Sequence, residues 1–215
     1  MIDPSAWVCT IEEAEMRDWP KREWDLWMTA SVNQDKAPEI AYASARILTN
    51  WLRYKDVAMQ LMPNPPPIMI ATIGCFHYRE STFNFTKNLL NGDPLTKQTV
   101  NHPAGRPPGR PDTPNGYSWE YAAVDALKYE EIDKIKNWTL ATALATMVRW
   151  NGAGAELYHN TDDPYLWSFT NKYTKGKYAS DGHWDANEMD EQAGCAAIFM
   201  GLKAQGLDLN EIPPP

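Results

Sequence analysis

Four prolines, Pro63, Pro65, Pro66 and Pro67, stand directly ahead of an apolar run from Ile68 to Phe76. Proline stops a helix arriving from upstream. It suits a first helical turn, where its missing N–H would be unpaired anyway. The run is apolar nearly all round, so periodicity alone does not separate a helix from a strand. The proline placement favours a buried helix over 67–79. A segment apolar on every face must be enclosed by other elements, and 215 residues suffice for one large domain with a proper core.

The flanking sequence supplies mostly helical partners. Residues 10–30, rich in acids and tryptophan, predict a short helix or two. Residues 37–62 predict a longer helix, with Ile40, Ala43, Ile47, Leu48, Trp51, Leu52 and Ala58 roughly on one stripe. Ser118 is a candidate N-cap for a helix carrying Ala122, Ala123, Ala126 and Leu127. A helix over 138–149 ends sharply at Asn151-Gly152-Ala153-Gly154, and a last helix spans 186–204. Between the first and second groups, residues 81–118 change character. Asn91-Gly92-Asp93-Pro94 is a turn signal, and the following segment is rich in proline and glycine, predicting a β-hairpin and then an irregular flap. The expected fold class is therefore mainly α (α+β): an acidic helical extension over 1–36, a helical domain with a small β-flap over 37–205, and a flexible tail over 206–215.

Charge excludes some functions. The chain is acidic, with net charge −8, and the acidity sits at its ends: eight acids against three bases in 1–35, and six against one in 185–215. No basic block tracks a phosphate backbone, so nucleic acid is not an expected partner. Cys9, Cys75 and Cys195 are widely spaced and read as buried free thiols, and the four histidines lack metal-ligand spacing. No metal or cofactor is implied. The N-terminus has no basic and apolar leader, and no apolar run approaches eighteen residues, which predicts synthesis in the cytoplasm without a signal peptide or membrane span. Asn137-Trp138-Thr139 matches a glycosylation sequon, which has no use without export.

The candidate chemistry centres on Glu80. A helix ending near 79 places this carboxyl at its negative end, where the charged form is disfavoured. Phe76, Tyr78, Phe83 and Phe85 are close in sequence and could exclude water from it. Both effects hold a proton on a carboxyl, and a protonated carboxyl beside a glycosidic oxygen is a general acid. Glycosidases generally use a second carboxylate. Asp93, in the turn thirteen residues on, is the candidate, with Asp162 and Asp163 behind it. The competing reading pairs Glu80 with Arg79 or Lys87 and leaves Asp93 as turn chemistry. His77 and Ser81 do not form a nucleophile elbow, since no Gly-x-Ser-x-Gly surrounds Ser81.

Glu80-Ser81-x-Phe83-Asn84 resembles the Glu-Ser motif of goose-type lysozymes and soluble lytic transglycosylases. Trp150-Asn151-Gly152-Ala153-Gly154 is similar to their Tyr-Asn-x-Gly motif. More closely, His77-x-Arg79-Glu80-Ser81, Asn91-Gly92-Asp93-Pro94-Leu95, Pro103-Ala104-Gly105-Arg106-Pro107 and Pro164-Tyr165-Leu166-Trp167 through Tyr173-Thr174-Lys175-Gly176-Lys177-Tyr178 resemble bacterial and phage lysozyme-like endolysins, over roughly 50–202. The transglycosylase Gly-Leu-x-Gln segment is missing, which favours hydrolysis.

The resemblance implies a lysozyme-like domain with its flap beside a cleft, and a peptidoglycan hydrolase with Glu80 as general acid and Asp93 as second group. Substrate would be met by His77, Arg79, Ser81, Asn84, Asn151, Gly152, Tyr165, Trp167 and Tyr173. Lys175 and Lys177 would meet stem-peptide carboxylates or form a solvated turn. The enzyme would be a monomer released to the cell wall by a holin or another export route. The alternatives are a lytic transglycosylase on the same substrate and a non-catalytic glycan-binding or structural protein.

Overall fold

A computed structural model describes residues 18–180 and 182–214; the first seventeen residues of the acidic N-terminal segment, Cys9 among them, lie outside them. The described chain is mainly helical. In order come α1 (Trp19–Trp27), α2 (Ala37–Thr49), α3 (Trp51–Met59), α4 (Pro67–Ser81), α5 (Trp119–Tyr129), α6 (Leu140–Asn151), α7 (Gly154–His159) and α8 (Pro164–Trp167). An antiparallel pair follows, β1 (Lys177–Ser180) with β2 (His183–Asp185), and then α9 (Cys195–Ala204). No helix among the described residues is long and apolar enough to cross a membrane. The chain divides into two compact units, Arg46–Asn137 and a second made of 18–45 with 138–214.

In the unit Arg46–Asn137, α4 is the centre. Pro67 opens it, and every side chain from Ile68 to Tyr78 is buried, as the all-round apolar run requires. Gly74 lets α2 come close: a Cβ there would lie 2.9 Å from the Ile47 side chain. α3 packs on α4, and so does the aromatic start of α5. The helix expected over 37–62 is in fact two, broken at Asn50, whose side-chain amide donates to the Arg46 carbonyl. Ser118 caps α5 as expected, accepting from the Tyr121 N–H at 3.3 Å.

The segment 82–118 contains no strand. Its pairing is limited to isolated bridges, Lys87 with Pro94 and Thr113 with Gly116, so the hairpin expected there is absent and the two-stranded sheet lies at 177–185. Beyond the turn, the Val100 and Asn101 N–H groups that a ladder would use donate to the Asp93 carboxylate, and the prolines from Pro103 onward lack donors altogether. Side chains hold the segment instead. Thr99 Oγ1 donates to the Pro103 carbonyl at 2.6 Å and accepts from the Arg106 N–H at 2.9 Å. The Arg106 guanidinium grips Asp125 of α5 through both carboxylate oxygens, at 2.9 and 2.6 Å.

In the second unit, α1 packs on α6, and α6 packs on α8 and α9. Gly152 ends α6 in the left-handed conformation at φ 91°, as its sequence suggested. The last helix begins at Cys195, later than expected, because 186–194 is irregular and Gly194 presses its backbone against Leu166; a Cβ there would lie 2.4 Å from that carbonyl oxygen. Cys75 and Cys195 are buried, and neither is in a disulfide among the described residues. The tail expected to be flexible is tied back as far as Glu211. Leu209 is buried, the Asn210 amide donates to the Trp138 carbonyl at 2.6 Å, and Glu211 pairs with Lys203 at 2.7 Å.

Candidate active site

Glu80 occupies the last turn of α4 and is half-buried. The chain leaves the helix through two consecutive left-handed residues, Thr82 at φ 51° and Phe83 at φ 63°. Neither is glycine and Thr82 is β-branched, so this exit stores strain that the surroundings must hold. They hold it with bonds from the Thr82 N–H to the Tyr78 carbonyl at 2.8 Å and from the Phe83 N–H to the His77 carbonyl at 3.2 Å, and by burying Phe83.

The Asn91–Asp93 turn folds against this helix end. A Cβ built on Gly92 would lie 3.9 Å from the Glu80 carbonyl oxygen. The two parts of the motif separated by thirteen residues are thus neighbours. The Asp93 carboxylate, however, serves the loop. Its Oδ2 accepts from the backbone N–H groups of Val100 at 2.8 Å and Asn101 at 3.0 Å, and its Oδ1 from the Asn101 side chain at 2.5 Å. The Asn101 N–H first, with the Val100 N–H and the Asn101 side chain adding less, holds the carboxyl below its usual range against desolvation, the second-largest effect. Only 7 % of the residue is exposed. An ionised group with these acceptors in use is a loop clasp; as a base or nucleophile it would first have to let go of them.

His77 is a correction. It is fully buried and cannot touch substrate. Its Nδ1 lies 3.0 Å from the Tyr54 hydroxyl, and its ring packs 4.4 Å from both Phe85 and Trp119. Burial lowers its pKa to about 4. The Asn84 backbone offers its protonated form some support, but no well-formed hydrogen bond reaches Nε2. Phe83 and Phe85, expected around Glu80, pack on His77 instead. Arg79 and Ser81 are half-buried beside Glu80, and Ser81 Oγ donates to the His77 carbonyl at 3.2 Å. Asn84 is exposed and closes a local turn, accepting from the Thr86 N–H at 2.9 Å and the Thr86 hydroxyl at 2.7 Å.

The remaining candidates belong to the other unit, and there the structure overturns the aromatic ones. Tyr165, Trp167 and Tyr173 are buried, so none offers a ring face to a sugar. Tyr173 is occupied between the Gly176 carbonyl at 3.2 Å and the Asp190 N–H at 3.1 Å. Asn151 is exposed, but its amide donates to the Asp163 carboxylate at 3.0 Å, joining the end of α6 to the cap of α8; Gly152 supplies the turn that permits it. Lys175 pairs with Asn187 and Lys177 with Glu188.

Sequence reasoning missed a charged cluster in that unit. Arg22 of α1 bonds to its neighbour Glu23, to Glu156 of α7 at 2.8 Å and to Asp162 at 2.6 Å. Glu23 is fully buried, and its other oxygen accepts from the Trp167 indole at 2.6 Å. The available signal was Glu23 itself, standing between Trp19 and Trp27 on the buried stripe of α1.

No protein-family model, curated protein or solved structure matches this chain.

Proposed function

We propose that this chain is a peptidoglycan glycan-strand hydrolase of the lysozyme-like kind, with Glu80 as its general acid. The observation that carries the reading is the placement of the Asn91–Asp93 turn against the end of α4 at Glu80, which makes one site of two motifs distant in sequence. The strained left-handed exit at Thr82 and Phe83 adds support, since such conformations concentrate where a side chain must be held in place. In this mechanism the Glu80 carboxyl gives its proton to the glycosidic oxygen as the C–O bond breaks. Positive charge then develops on the sugar ring, and water completes the cleavage. Asp93 acts by fixing the loop beside Glu80 and contributing a standing negative charge.

One observation favours a second reading on the same substrate. With the Asp93 oxygens bonded to Val100 and Asn101, no second carboxylate of this loop is left to activate water. Attack by the sugar's own 6-hydroxyl, which hands its proton to the Glu80 carboxylate left after bond cleavage, needs no second carboxylate and would make the chain a lytic transglycosylase.

Replacing Glu80 by Gln removes the proton and nearly preserves shape. The expected result is loss of clearing of purified peptidoglycan by at least about 100-fold, the lower range for a general acid, with an unchanged circular dichroism spectrum. Undiminished clearing by a folded Glu80→Gln protein overturns the proposal, and no clearing by the parent chain favours a non-catalytic role. Mass spectrometry of released muropeptides separates the two chemistries, because an anhydro end is lighter than a reducing end by one water.

A further inference from the structure

The cluster around Arg22 has too few positive charges for its carboxylates. One guanidinium faces Glu23 on its own helix, Glu156 on α7 and Asp162 beyond it, and Asp163 adds its field from the cap of α8. Three of these carboxylates have other help. Glu23 takes the Trp167 indole N–H, and Asp163 takes the Asn151 amide and the Tyr165 N–H at 2.8 Å. Asp162 keeps a quarter of its side chain in water. Glu156 has neither. Its side chain is only 5 % exposed, one oxygen meets Arg22, and the other, Oε2, is buried with no hydrogen-bond partner.

A buried carboxylate needs donors at both oxygens, whereas a neutral carboxyl needs far less. Among the described residues, no group of three histidine, cysteine or acidic side chains is arranged to hold a metal ion. The missing positive charge is therefore best supplied by a proton.

We propose that Glu156 carries a proton at neutral pH and that the cluster is a proton-dependent clasp, fastening α1 to α7 and the 161–163 segment through Arg22. In the protonated state the Glu156 carboxyl is neutral, and Arg22 faces only the Glu23 and Asp162 carboxylates. Loss of that proton sets a third carboxylate charge, this one buried, against one guanidinium, and the clasp loosens. Desolvation first, then the Glu23 charge, raises the Glu156 pKa to about 9, against the opposing pull of Arg22. Glu23 is shifted upward as well, again by burial first. Between the ordinary glutamate value of 4.5 and about 9 the folded chain holds a proton that the unfolded chain has lost, so stability falls as pH rises through that window. The clasp is independent of the peptidoglycan reading, because every group in it belongs to the other unit.

The test is a pH titration of the full chain labelled with 13C at the glutamate side-chain carboxyls, read by NMR, with Glu156 assigned by correlation to its own backbone amide. The expected result is a Glu156 carboxyl that titrates with a midpoint above pH 7, and whose signal is missing from Glu156→Gln. A Glu156 carboxyl fully ionised by pH 6 overturns the proposal, and this readout needs only the parent protein should the variant fail to fold. Thermal denaturation tests the clasp. The parent is expected to lose melting temperature relative to Glu156→Gln between pH 6 and pH 9; parallel curves overturn that part.

Discussion

Asp93→Ala tests whether the loop beside Glu80 is held by one carboxylate. The substitution deletes bonds from two backbone N–H groups and the Asn101 amide. Hydrogen bonds to charged groups contribute about 1.5–3 kcal/mol each, so three at face value would amount to about 5–9 kcal/mol. The actual loss should be smaller. Val100 and Asn101 are exposed, so water replaces part of what their N–H groups lose, and bonds to one group do not add. The expected destabilisation is about 2–4 kcal/mol, with Asp93→Asn falling between variant and parent because it keeps one acceptor oxygen.

Urea denaturation followed by circular dichroism gives the magnitude, and amide exchange at Val100 and Asn101 gives the location. The pH dependence supplies a further check. Asp93 has its pKa lowered from 3.8 on folding, so its contribution is present above that value and lost as pH falls through the folded one. The gap between parent and Asp93→Ala should therefore close in strong acid. An unchanged urea midpoint with unchanged exchange at Val100 and Asn101 would refute the reasoning.

Two further predictions concern the same unit. His77 titrates at about 4 when folded against 6.5 when free, so the folded chain binds fewer protons and loses stability as pH falls through that interval; the shift corresponds to about 3 kcal/mol, and His77→Phe should flatten the acid limb of a melting-temperature profile, while an identical limb in both proteins would count against a neutral buried His77. Gly116→Ala should lower stability by more than about 2 kcal/mol, because φ is 128° and the new Cβ would sit 2.2 Å from the Leu95 carbonyl oxygen, and a neutral result in urea denaturation would show that this approach relaxes freely.

What the sequence made legible follows the range of the interactions. The α4 helix could be read because prolines and an unbroken apolar run act locally, and so could the caps at Ser118 and Gly152, where one residue type satisfies one backbone need. Burial of Tyr165, Trp167 and Tyr173 could not be read, because an aromatic ring suits a core and a sugar cleft equally well until its neighbours are known. The same holds for His77, whose partner Tyr54 lies twenty-three residues away. Asn-Gly-Asp invited a hairpin because it is a turn signal in any context, yet the Val100 and Asn101 N–H groups beyond it are taken by the Asp93 carboxylate and not by a partner strand. Arg22 and Glu156 are 134 residues apart, and nothing in the local pattern links them.

The way residues 82–118 are held has a consequence for anyone who redesigns this chain. Much of its order comes from a few polar side chains, notably Asp93 and Thr99 bonded to backbone and Arg106 bonded to Asp125. Its tolerance to substitution should therefore invert the usual rule. Exposed Val100 should accept many replacements, whereas small polar changes at Thr99 or Asp93 should release the whole segment. A library that protects hydrophobic positions and randomises polar ones would dismantle this region while leaving α4 intact.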